Sequence, residues 1–186
     1  MENIHIIVQK ESDVNPLKPL IEGSFETTEL STINASTLLL TMPLDVEGYD
    51  FEDIYPLWLN DIEEPFKLLV LPNNAFNIID SETLSNLLVE LPPKVYYFTE
   101  ILLHAVQHHP DVKQKLSKKI STLLSPTLVT TLLKLAENDM NMSIAAKRLY
   151  IHRNTMMYRT DQIEALTGID PKAFEGLLIF YLLFKR

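Results

Sequence analysis

Residues 141–167 read NMSIAAKRLYIHRNTMMYRTDQIEALT and hold groups suited to gripping a polyanion. Lys147, Arg148, Arg153 and Arg159 are cations of the kind that hold phosphates. Asn154 and Tyr158 are polar groups able to reach base edges, and Met157 is able to touch a thymine methyl. His152 is placed either to contact a ligand or to shape a turn. Other chemistry is less well provided for. His104 and His108 are four apart with His109 and Asp111 nearby, a spacing that can set two imidazoles on one metal. The intervening HAVQH lacks the glutamate of a zinc-protease motif. Histidines at a helix C-terminus are also favoured by the macrodipole, so no metal is expected. The acidic pairs Glu52-Asp53 and Glu63-Glu64 lack a companion nucleophile and read as a solvated face. With no cysteine and only four glycines, the chain has no thiolate chemistry and no glycine-rich phosphate loop. No catalytic residue and no cofactor are expected, and the chain does not read as an enzyme.

Two short helices must position the 141–167 groups. One is expected over about Ser143–Leu149 with Ser143 as N-cap, the other over about Arg153–Leu166. Tyr150-Ile151-His152 links them, with small Ala146 where they touch. Two helices joined by so short a turn make a helix-turn-helix. At about 100° per residue, Met156, Ile163 and Leu166 of the second helix share one side, flanked by Thr160 and Arg159. That side packs on Ala146, Leu149 and Ile151. Asn154, Met157, Tyr158 and Asp161 face outward, with Arg153 and Arg159 on the flanks. Lys147 and Arg148 add backbone contacts from the first helix.

The rest of the 186 residues divides by charge. Net charge is −9, which taken whole argues against a nucleic-acid partner. Residues 1–95 carry 17 Asp and Glu against four lysines, a net of −13, whereas residues 96–186 carry a net of +4. The cations therefore collect where the helix-turn-helix lies. No export signal opens the chain and no apolar run is long enough to span a bilayer, so a cytoplasmic location and no membrane partner are expected.

The expected fold class is α+β: a small N-terminal α/β region followed by an all-α helical domain containing the helix-turn-helix. Strands are expected at Ile4–Val8, Ser36–Leu44 and Phe66–Leu71. Phe51, Ile54, Leu57, Trp58 and Ile62 recur at helical spacing, and Asp80 caps an amphipathic helix that stops before Pro92-Pro93. That proline pair marks the expected boundary between an acidic α/β domain at 1–93, for sensing or dimerisation, and a helical domain at 94–186. The helical domain reads as helices over Val95–His108, Asp111–Leu124 and Ser125 to about Glu137. The apolar Phe174–Phe184 suits a buried helix or a subunit interface.

AAKRLYIHRNTMMYRTDQIEALTGID resembles the C-terminal helix-turn-helix of the PucR/CdaR-type bacterial transcription regulators. The matching positions are Ala146, Leu149, Ile151, His152, Arg153, Asn154, Thr155, Tyr158, Arg159, Ile163, Glu164, Leu166, Thr167 and Gly168. The resemblance covers roughly residues 126–185. It implies a DNA-binding transcription regulator that meets double-stranded DNA through Lys147, Arg148, His152, Arg153, Asn154, Thr155, Met157, Tyr158 and Arg159. A homodimer is expected, because one such helix gives modest affinity. A small-molecule effector of unidentified class stays open. Met157 stands where such proteins commonly have Arg, Thr160 where a larger apolar residue is usual, and Asp161 points outward. These departures leave a second reading: a truncated relative that keeps the fold and works by protein–protein contact, with weak or no DNA binding.

Overall fold

The computed structural model describes residues 3–24, 29–43, 50–62 and 64–185. Leu44 and Glu63, which enter the sequence reading, lie outside them. The chain divides after Phe98 into two compact units. Together they have the expected α+β composition.

The first unit is a five-stranded sheet with helices. Strands β1 (Asn3–Lys10), β2 (Glu29–Asn34), β3 (Thr37–Pro43), β4 (Phe66–Pro72) and β5 (Val95–Tyr97) lie in the order β2-β3-β1-β4-β5. All pairs are antiparallel except β4 with β5. Helices α1 (Lys18–Ser24), α2 (Phe51–Ile62) and α3 (Ser81–Val89) complete the unit. The even positions of the central strand, Ile6 and Val8, join a buried cluster with Leu17, Ile21, Phe51 and Trp58. Its odd positions turn to α3, where Gln9 Nε2 donates to the Ser85 carbonyl at 2.8 Å. This two-sided burial explains near-continuous apolar strands. Buried Lys67 donates from Nζ to the carbonyls of Leu88 and Val89 at 2.8 and 3.1 Å, closing the C-terminus of α3. Burial holds its ammonium below the usual lysine range.

Two sequence expectations change here. Residues 95–97 form a strand rather than a helix start, because Leu68, Leu69 and Val70 offer an edge to pair with. Pro92-Pro93 therefore lies inside the first unit, between α3 and β5. Leu57 does not belong to the inner stripe of α2: it is 66% exposed, since Phe51, Ile54, Tyr55, Trp58 and Ile62 already complete the buried face.

The second unit is helical: α4 (Phe98–His108), α5 (Pro110–Leu123), α6 (Pro126–Ala136), α7 (Met142–Arg148), α8 (Arg153–Thr167) and α9 (Phe174–Phe184). Ser125 caps α6, its hydroxyl accepting from the Leu128 amide, and Pro126 takes the first helical position. Helix α6 packs on α7, α8 and α9. The interior is built from Leu128, Leu132, Leu135, Met156, Ile163 and Phe180, all buried. Gly176 of α9 allows close passage over the preceding turn. A β-carbon there would lie 2.0 Å from the Asp170 carbonyl oxygen.

Candidate nucleic-acid interface

Helices α7 and α8 form the compact pair that the sequence leads one to expect, with sharper ends. The cap of α7 is Asn141, not Ser143: its side-chain oxygen accepts from the Ile144 amide at 3.0 Å. Asp139 and Met140 before it hold positive φ of 51° and 62°. They bend the chain tightly out of α6, so the helix starts earlier.

The turn out of α7 is a Schellman motif. The Tyr150 amide donates to the Lys147 carbonyl at 3.1 Å and the Ile151 amide to the Ala146 carbonyl at 3.0 Å. Tyr150 sits at the left-handed position, φ 55°. Glycine is the unstrained residue there, and a β-carbon costs on the order of 1 kcal/mol. His152 then caps α8, its Nδ1 accepting from the Asn154 amide at 3.2 Å. The ring proton of that tautomer therefore sits on Nε2, which points away from the cap.

The buried stripe of α8 is Met156, Thr160, Ile163 and Thr167. Leu166, expected inside, is only half-buried. Threonine suits this stripe because each hydroxyl donates back to its own helix, Thr160 to the Met157 carbonyl and Thr167 to the Ile163 carbonyl, both at 2.7 Å. The inner wall from α7 is Ala145 and Ala146.

Of the nine residues assigned to DNA from the sequence, Lys147, Arg148, His152, Arg153, Asn154, Thr155, Met157 and Tyr158 are exposed. Arg159 differs. It is half-buried and donates from its guanidinium to the Thr131 hydroxyl of α6 at 3.3 Å. That hydroxyl in turn donates to the Thr127 carbonyl at 2.9 Å. Arg159 thus ties α8 to α6. The other eight fall on the turn, the last turn of α7 and the first two turns of α8.

The electrostatics of this stretch are one-signed. From Met140 to Thr160 the sequence has Lys147, Arg148, Arg153 and Arg159 and no Asp or Glu. No ion pair engages Lys147, Arg148 or Arg153 among the described residues. Just beyond it, Lys172 Nζ lies 3.0 Å from both Asp161 Oδ1 and Glu164 Oε2, and 3.8 Å from Asp170 Oδ1. Hydrogen bonds to Asp161, then Glu164, push the Lys172 ammonium well above the usual lysine range. Lys172 is therefore shared among three carboxylates and offsets part of their negative charge, that of outward Asp161 included. Lys172 is eleven residues away and carried no signal in the sequence.

The His104 ring centroid lies 4.9 Å from that of His108 and 5.3 Å from that of His109. These histidines sit at the α4–α5 junction, away from the α7–α8 turn in sequence.

Residues 128–185, from α6 to α9, match the family model of the PucR C-terminal helix-turn-helix domain. This segment is a PucR C-terminal helix-turn-helix domain. Within the PucR domain, α7 and α8 are the helix pair, α6 packs on both of them, and α9 packs on α6. YxkF, an uncharacterised protein of Bacillus subtilis (strain 168), is 35% identical over 74 residues, covering 34% of this chain and 25% of that protein. The chain thus spans about a quarter of the length of this curated relative. A solved regulator of polyketide synthase expression from Bifidobacterium adolescentis shares 14% identity at a TM-score of 0.47, over 98% of this chain and 78% of that one.

Proposed function

We propose that this chain is a DNA-binding transcription regulator whose PucR domain docks α8 into the major groove of duplex DNA. The observation that carries the reading is the acid-free face from Lys147 to Tyr158, set on a domain of the PucR type. In this account Asn154, Thr155, Met157 and Tyr158 meet base edges, while Lys147, Arg148 and Arg153 hold phosphates. Exposed His152 offers its Nε2–H to the backbone. Arg159 acts chiefly as a brace.

The domain boundary and the first unit belong to the same proposal. The acidic unit serves sensing or dimerisation, and the chain binds two-fold sites as a homodimer. A cytoplasmic location follows from the DNA reading. No helix among the described residues is long and apolar enough to cross a membrane. The protein–protein alternative keeps exposed Met157 and a net acidic cluster at Asp161, Glu164 and Asp170, which Lys172 offsets in part. Selection of bound fragments from a genomic DNA pool by the purified chain tests the reading. Recovery of a shared, two-fold sequence supports it. Recovery of nothing above background, together with a stable protein partner, favours the alternative.

A further inference from the structure

Tyr150 combines two features that work against each other in a free-standing domain. Its backbone takes the left-handed conformation that glycine adopts without strain. Its side chain is 97% exposed, so no packing offsets that strain. Among the described residues its hydroxyl has no hydrogen-bond partner. A residue that costs stability and gains no internal contact points to a use outside the fold.

The surroundings indicate which use. Tyr150 follows Arg148 and precedes His152 and Arg153, all exposed, within the stretch that has no acid from Met140 to Thr160. The phenol therefore projects from the turn between the two helices, with cations on both sides in sequence. We infer that Tyr150 is a DNA-backbone contact, its hydroxyl donating to a phosphate oxygen at the edge of the groove that α8 enters. A tyrosine suits the task because its O–H donates to an anionic oxygen and its flat ring lies against deoxyribose. A contact of this kind sets the register of α8 on the duplex without reading sequence. The inference rests on the DNA reading above.

The test compares the full chain with Tyr150→Gly, Tyr150→Phe and Arg153→Ala. The probes are a duplex recovered by genomic selection and a random-sequence duplex of equal length. Tyr150→Gly should denature at the same or a higher temperature, because the strain is relieved. It should bind both duplexes about ten-fold more weakly, the scale of one hydrogen bond to a charged group. Its salt slope should match the parent's, because no charge is lost. Tyr150→Phe should lose most of the same affinity. Arg153→Ala should weaken binding and flatten the slope. If Tyr150→Gly binds as tightly as the parent while Arg153→Ala does not, Tyr150 has no backbone role and the DNA reading stands. If the parent shows no salt-dependent binding, both fall. A lower denaturation temperature for Tyr150→Gly would overturn the strain argument on which the inference depends.

Discussion

Lys172 Nζ sits 3.0 Å from Asp161 Oδ1, so a lysine in the α8–α9 turn offsets part of the negative charge that Asp161, Glu164 and Asp170 gather there. Replacing Lys172 with methionine should leave the carboxylates of Asp161, Glu164 and Asp170 without that cation, next to the face proposed to meet DNA. We predict a several-fold loss of duplex affinity, restored by adding Asp161→Asn. Stability should change by no more than about 1 kcal/mol, since the pair is solvent-exposed. A double-mutant cycle with fluorescence anisotropy and thermal melts checks both halves. Lys172→Met binding as well as the parent would show that this charge cluster does not face DNA.

Arg153 and Arg159 look alike in sequence and differ in the structure. Arg159 bonds the buried Thr131 hydroxyl of α6, so Arg159→Ala should cost about 1–2 kcal/mol of stability. Exposed Arg153 should contribute little to stability. Arg153→Ala should instead reduce the magnitude of the salt slope by about 0.9, the value of one phosphate contact. Chemical denaturation and salt titration of the two variants separate the roles.

Gly176→Ala should disrupt the helical unit. The added methyl would meet the Asp170 backbone, which has no flexible end to give way. A loss of about 3 kcal/mol or more is expected. Circular dichroism of the variant should show a lowered melting temperature or lost helicity.

The first unit carries its own pH dependence. His5 of β1 lies against Phe76, ring centroids 4.9 Å apart, and its Nδ1 is 3.0 Å from the Thr41 hydroxyl. Burial holds its pKa below the ordinary 6.5, opposed by a backbone hydrogen bond with Asn73. The unfolded chain therefore takes up this proton more readily than the folded one. The stability contributed by neutral His5 is complete above about pH 6.5 and falls as the pH drops toward the lower folded value. Melts at about pH 8 and about pH 5.5 should show a larger acid loss for the parent than for His5→Gln. Equal losses would assign the acid sensitivity elsewhere.

What was legible in the sequence follows from the range of the forces involved. Asp80, Ser125 and Pro126 announce helix starts because capping is local, and both caps appear as expected. The α7–α8 pair was legible because its turn spans only Tyr150 to His152. Short elements were not. Val95-Tyr96-Tyr97 becomes a strand only through pairing with β4, twenty-seven residues earlier at the Leu68–Val95 pair, and its apolar spacing runs smoothly into α4. Strand β2 and helix α1 carried no periodic signal of their own. Asn141 displaced Ser143 as cap because two preceding residues adopt positive φ, which side-chain type does not reveal. The roles of Arg159 and Lys172 depend on Thr131 and Asp161, partners that only the folded chain brings near.

Salt titration of duplex binding decides whether the Lys147–Tyr158 face is the surface that meets DNA. The affinity of the full chain for a genomically selected duplex should fall linearly with salt on logarithmic axes. Lys147→Ala, Arg148→Ala and Arg153→Ala combined should reduce the magnitude of that slope by roughly 2.7, three contacts at about 0.9 each, while melting as the parent does. An unchanged slope in that triple variant, with the fold intact, would mean that this face does not hold DNA phosphates.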